Sequence, residues 1–232
     1  MNIQGPLIQA TFIERPSRFI TIVEINGIKH KSYLPDPGRL KELLFPGAQI
    51  LLQSSDDSKR KTRFTTVMVY NSNQLISTVT TLPNKFVMYS LKRNELPMFI
   101  DHKFIRSEIK VGNHRFDFLL QHRKNRYYLE VKSVTYVRKG VAKFPDAITA
   151  RGKKHVEALT ALVKQGEKAG ILFVCQRSDA NIFSPMWDVD PKFSKALSIA
   201  YKAGVEIWCI TLNVEMTEIT MNREIPVNLE QY

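Results

Sequence analysis

Arg115-Phe116-Asp117-Phe118-Leu119-Leu120, followed after a short polar link by Tyr127-Tyr128-Leu129-Glu130-Val131-Lys132-Ser133-Val134, is the stretch whose reading decides the fold. Both segments are rich in aromatic and β-branched or apolar residues and read as strands. The link Gln121–Arg126 is polar enough to be a hairpin loop. Strands that end at Leu120 and Tyr127 pair in a register that sets Asp117 opposite Glu130. Lys132 lies two residues beyond Glu130 and projects from the same face. Opposed carboxylates on one face repel, and a hard divalent cation bound by oxygen ligands relieves that repulsion. The same triplet also fits a solvated salt-bridge set on an exposed strand. Phe118, Leu129 and Val131 imply that the other face of the sheet is covered.

The segment after the hairpin predicts a helix that starts after Lys143-Phe144-Pro145-Asp146, with Asp146 as its cap, and ends near Gly166. Leu159, Leu162 and Val163 form its apolar stripe. Arg151, Lys153, Lys154 and His155 crowd its first turns, where positive charge opposes the helix macrodipole. Gly152 weakens the same turns. A nearby anion, either a phosphate or the hairpin carboxylates, accounts for this arrangement; a solvated basic face is the alternative. Arg151, Lys154 and His155 have the spacing to share one helix face.

Asp-x12-Glu-x-Lys on a hairpin followed by a helix resembles the PD-(D/E)XK nuclease superfamily, whose core runs helix, three strands, helix, fourth strand. The wider wording is similar to the sugar fermentation stimulation protein A family. Arg115–Leu120, Glu130-Val131-Lys132-Ser133-Val134-Thr135, Phe144-Pro145-Asp146-Ala147 and Arg151-Gly152-x-Lys154-His155 carry that resemblance. Pro35-Asp36-Pro37-Gly38-Arg39, Leu82-Pro83-Asn84 and Cys175-Gln176-Arg177-Ser178-Asp179-Ala180 support it. Asp36-Pro37-Gly38 stands where many members have Asn-Thr-Gly, so either Asp36 takes over the polar role of that Asn and Thr or the segment is simply the turn that opens a helix at Arg39. Phe116 stands where the superfamily often has proline before its first ligand. The resemblance implies that Asp117, Glu130 and the Val131 carbonyl hold Mg²⁺ or Mn²⁺ beside a scissile phosphate. Lys132 would then assist the attacking water, with Asp117, Glu130 and Lys132 as the catalytic set. Glu108, at the start of a candidate strand before the hairpin, is a further acidic candidate or a plain surface residue.

Composition suits a polyanionic partner: 34 Lys and Arg against 22 Asp and Glu give a formal charge of +12. Arg151, Lys154, His155, Lys59, Arg60, Lys61, Arg18 and Arg39 are the candidate nucleic-acid contacts. DNA is expected ahead of RNA, with a homodimer left open and no membrane partner. Solvated loop charge is the alternative for Lys59-Arg60-Lys61. Cys175 and Cys209 sit in apolar runs and read as buried strand residues. No signal peptide or long apolar span is evident, so a cytoplasmic protein is expected.

Residues 1–83 read as strands around one short helix, Gly38–Leu44, which suits an OB-like β-barrel. Residues 84–232 alternate helix and strand and suit the nuclease-like α/β domain. Phe19 reads as core, Trp208 as packing and Trp187 as cover for a core edge. The family resemblance leaves two functions open: a metal-dependent nuclease hydrolysing phosphodiester bonds, and a non-catalytic DNA-binding regulator of sugar metabolism genes.

Overall fold

The computed structural model of the chain describes residues 1–231. Its first part contains β1 (Leu7–Ser17), β2 (Ile20–Ile25), β3 (Ile28–Tyr33), β4 (Gln49–Ser54), β5 (Phe64–Asn71) and β6 (Gln74–Ser77). β1 pairs with β2 and β4, β4 with β5, and β2 with β3, all antiparallel, while β3 and β5 close the ring in parallel. The result is a five-stranded OB-like barrel, with β6 folded back on β5. Asn26 and Gly27, at φ 50° and 79°, make the tight β2–β3 turn, a conformation these residue types tolerate. Phe12, Val23, Leu34, Ile50, Leu52 and Val69 fill the barrel.

Two expectations fail in this part. Gly38–Leu44 is not a helix; only residues 41–43 turn. Leu40 sits at φ 48°, which breaks helical geometry, and Leu40, Leu43 and Leu44 are drawn into the barrel core instead. Phe19 is not core either: it is 40% exposed, because it lies in the turn between β1 and β2 and packs against Tyr33.

The second part begins with α1 (Leu82–Arg93) and a 3-10 turn at Pro97–Phe99. The hairpin region follows: β7 (His102–Val111), β8 (His114–His122) and β9 (Asn125–Val134). Then come β10 (Val137–Arg138), β11 (Val141–Phe144), α2 (Ala150–Lys164), β12 (Lys168–Cys175), β13 (Ile182–Pro185), α3 (Pro191–Lys202), β14 (Glu206–Val214) and β15 (Ile219–Glu224). The main sheet has the order β15-β14-β12-β9-β8-β7, with β12 parallel to both β9 and β14. Helix, three strands, helix and fourth strand thus follow the PD-(D/E)XK nuclease-like order.

One face of the sheet packs on α2 and α3 through Phe173, Val156, Leu159 and Leu197. The other packs on α1 and on the barrel through Leu129, Leu172, Phe86 and Met68. Central strands β9 and β12 are therefore covered on both sides and read as near-continuous apolar runs. Cys175 and Cys209 are buried in this sheet.

The hairpin register is the expected one, with Leu120 opposite Tyr127, but the strands run further, to His122 and Asn125. The link shrinks to Arg123-Lys124, with Arg123 at φ 57°. Helix α2 starts later than Asp146, and Thr149 caps it by accepting from the Gly152 amide at 3.1 Å. Asp146 is engaged elsewhere, accepting from the Arg39 amide of the barrel part at 3.2 Å. The small sheet β10-β11-β13 follows from segments too short to show a period in sequence.

Candidate active site

The β8–β9 ladder ends at Phe118 and Leu129, where β9 leaves β8 and stays with β12 as far as Val134. Asp117 and Glu130 stand at that opening. The Val131 amide donates to Asp117 Oδ2 at 2.7 Å. Asn84, in the first turn of α1, donates to Asp117 Oδ1 at 2.5 Å. The barrel-side helix therefore fixes one carboxylate of the hairpin.

Glu130 is 3% exposed. Its Oε1 accepts from His155 Nδ1 at 2.5 Å and also from the Lys132 ammonium. Its Oε2 is buried and has no hydrogen-bond partner among the described residues. An unpaired buried carboxylate oxygen costs several kcal/mol in order of magnitude.

The two carboxyls titrate apart. Burial, and then the neighbouring Glu130 charge, push Asp117 up to about 6. Burial works in the same direction on Glu130, but the His155 hydrogen bond and the Lys132 ammonium outweigh it and hold Glu130 below its ordinary value. The site thus joins a firmly ionised carboxylate to one that gives up its proton reluctantly. Such separation of two nearby carboxyls is typical of functional sites.

His155 also lines a cavity of about 860 Å³, together with Asn113, His114, Arg115, Arg151 and Lys154, and neither Asp117 nor Glu130 is part of that lining. Arg151 and Lys154 are exposed on α2, while His155 turns inward to Glu130. Arg151 and Lys154 thus face the cavity, and His155 links it to the Glu130 carboxylate. A larger groove of about 1280 Å³, near Trp187, Tyr201 and Trp208, holds none of the candidate residues.

Glu108 lies on β7 between Ser107, opposite Phe118, and Ile109, opposite Phe116. Its carboxylate is largely exposed and pairs with Arg115 at 2.8 Å. Among the described residues no three His, Cys, Asp or Glu side chains converge as a ready metal cage, so Glu108 does not complete a triad with Asp117 and Glu130. Lys59, Arg60 and Lys61 are exposed in the β4–β5 loop of the barrel, and Arg18 and Arg39 are exposed in other barrel loops. The structure gathers Asp117, Glu130, Lys132 and His155, and leaves these barrel cations apart from that contact set. Asn84 enters the sequence reading only within the motif Leu82-Pro83-Asn84, with no site role; its other signal is a polar, poorly helix-forming residue inside a first turn that it does not cap.

A second acidic cluster joins the two parts of the chain. Asp36 Oδ1 accepts from the Gly38 amide at 2.7 Å. Asp36 is 4% exposed, and burial, followed in the same direction by Asp146, takes its pKa to about 6. A Cβ on Gly38 would run into Asp146 Oδ2 and come within 2.9 Å of Asp36 Oδ1, so a side chain there would have to displace these carboxylates.

Comparison with known proteins agrees with this architecture. Residues 13–78 match the family described as the SfsA N-terminal OB domain, and residues 81–218 match the sugar fermentation stimulation protein RE domain. A sugar fermentation stimulation protein homolog of Chloroflexus aurantiacus is 41% identical over 223 residues, covering 96% of this chain and 86% of the relative. The homolog of Acetivibrio thermocellus is 39% identical over 230 residues, covering 98% and 99%. The solved structure of Pyrococcus furiosus SfsA in complex with Ca²⁺ superposes with a TM-score of 0.89 at 27% identity, covering 98% of each chain. With both parts matched in order and relatives aligned almost end to end, the chain belongs to the sugar fermentation stimulation protein family.

Proposed function

We propose that this protein is a divalent-metal-dependent nuclease that hydrolyses phosphodiester bonds, in DNA ahead of RNA. The observation that carries the reading is the partnerless, buried Oε2 of Glu130 beside Asp117. The donor set is made of oxygens, which suits a hard cation such as Mg²⁺ or Mn²⁺, and two carboxylates suffice because Mg²⁺ keeps several waters. Asp117, Glu130 and the Val131 carbonyl would hold the ion. The Ca²⁺ bound by the Pyrococcus furiosus relative supports a divalent ion here. The chemistry it would supply there is polarisation of a phosphoryl oxygen and a lowered pKa for water.

The chain's own groups supply the rest. Lys132, tied to Glu130, offers its remaining protons to a phosphate oxygen on which charge develops. His155 buttresses Glu130 from α2 and keeps it ionised. Asn84 and the Val131 amide hold both oxygens of Asp117 in place. Arg151 and Lys154 at the cavity mouth suit contacts to neighbouring phosphates, which position a strand without reading its sequence.

The test is incubation with single- and double-stranded DNA and RNA in Mg²⁺, in Mn²⁺ and in chelator. Cleavage is expected with metal and absent in chelator, and Asp117→Ala and Glu130→Ala should bind substrate without cutting it. Salt-sensitive binding with no product under any of these conditions would discard the nuclease and leave the DNA-binding regulator.

A further inference from the structure

The barrel carries an exposed surface that the hairpin site does not use. Phe19 and Tyr33 are 40% and 36% exposed, and their rings stack with centroids 6.3 Å apart and planes 29° from parallel. The Arg18 guanidinium lies over the Phe19 ring, 5.4 Å from its centroid. Scattered exposed apolar residues need no explanation; Ile28, alone at the β2–β3 turn, is one. Two adjacent aromatics under a cation are a different case.

Charge extends this surface in two directions. Along β3, Lys29 and Lys31 are exposed and alternate with the buried Ser32 side of the strand, so they share the outward face with Tyr33. Across the barrel, Tyr33 is paired with Thr65 of β5, and Thr65 Oγ1 accepts from Arg60 at 2.6 Å. That contact brings the basic loop carrying Lys59, Arg60, Lys61 and Arg63 up to the aromatic pair. Glu14, Glu24, Asp56 and Asp57 are the acids of the same strands and loop, and the cations outnumber them.

The surface is also pinned in place. Arg15 donates to four main-chain carbonyls: Arg18 at 2.6 Å, Asp36 at 2.8 Å, Gly38 at 2.6 Å and Arg39 at 3.0 Å. The Arg39 amide in turn donates to Asp146 of the α/β part. One guanidinium therefore ties the Arg18-Phe19 turn to the loop that docks beside the hairpin domain.

We infer that this barrel face is a platform for single-stranded nucleic acid, on which Phe19 and Tyr33 stack against unpaired bases while Lys31, Arg18 and the Lys59–Arg63 loop take the phosphates. Stacked aromatics engage the faces of unpaired bases, whereas paired bases in a duplex keep those faces covered, so the platform selects strand over duplex. Its fixed attachment holds a bound strand at a set offset from Asp117 and Glu130. The inference stands apart from the nuclease reading, since binding here requires neither metal nor cleavage.

The test is fluorescence anisotropy of the full chain in chelator, with a labelled oligothymidylate and a duplex of the same length. Phe19→Ala/Tyr33→Ala should weaken single-strand binding by about 10-fold or more and leave duplex binding nearly unchanged. Phe19→Leu/Tyr33→Leu, which keeps apolar bulk without a π face, should lose as much, and Phe19→Trp should retain binding. Equal losses on strand and duplex, no loss on either, or full binding by the leucine pair would overturn the platform. Cleavage by the unaltered chain in Mn²⁺ is read separately, so the platform and the nuclease can fail independently.

Discussion

Two acidic clusters in this molecule each hold one carboxyl that burial raises, and they differ in what surrounds them. Asp36 beside Asp146 and Asp117 beside Glu130 each contain a carboxyl raised to about 6, chiefly by burial and next by an acidic neighbour. At the seam between the two parts of the chain, backbone amides of Gly38 and Arg39 satisfy the acids, and glycine fills the space between them. At the hairpin, side-chain cations converge on Glu130 Oε1 while Oε2 is left bare. A raised pKa reports burial and crowding, which structural contacts produce as readily as catalytic ones. The bare oxygen beside two largely buried basic groups is what distinguishes the hairpin cluster from the seam.

Substitutions can break or sharpen that contrast. The largest effect is on turnover: Asp117→Ala or Glu130→Ala should cut metal-dependent cleavage by at least about 100-fold. Asp146→Ala should leave it near the wild-type rate, as judged by initial rates on one labelled substrate. Comparable losses from all three would erase the distinction between the clusters.

Next comes stability at the hairpin. The side chains of Glu130, Lys132 and His155 are only 4%, 14% and 9% exposed. Glu130→Gln removes the anion that both basic groups share and should cost about 3 kcal/mol in denaturant unfolding.

The raised carboxyls should behave oppositely. Asp36 and Asp117 hold their protons up to about pH 6 in the fold, against a reference of 3.8. Their protonated forms favour the folded state, so this contribution is complete below about pH 4 and is lost as pH rises through about 6. Asp36→Asn and Asp117→Asn should each therefore stabilise the protein at pH 7, by roughly 1–3 kcal/mol, and flatten the slope between pH 4 and 6. Added Mn²⁺ at pH 7 should stabilise the wild type and Asp36→Asn but not Asp117→Asn; Mn²⁺ stabilisation lost equally in both variants would contradict the assignment.

The smallest effect belongs to Asn84, which touches Asp117 from α1. Asn84→Ala should weaken Mn²⁺ binding by about 10-fold, measured by calorimetry, with little change in melting temperature.

The sequence makes the hairpin legible because its information is local. Period-two alternation and a short polar link fix the register that brings Asp117 and Glu130 to one opening. The basic start of α2 is legible for the same reason, as charge placed against a helix dipole. What escapes is set by distant partners. Asn84 is brought to Asp117 across 33 positions of the chain, and Asp146 to Arg39 across 107. Asp146 reads as a cap in sequence, yet Thr149 stands nearer the first turn and the barrel loop claims Asp146 instead. The short helix expected at Gly38–Leu44 fails similarly: its leucines match a helical stripe, but the barrel core takes them in a left-handed turn at Leu40.

The most direct measurement is the anomalous difference map of a crystal soaked in Mn²⁺. A peak within coordination distance of Glu130 Oε2 and an Asp117 oxygen is expected, with none between Asp36 and Asp146. A peak at the seam, with none beside Glu130, would contradict the assignment of the hairpin opening as the metal site.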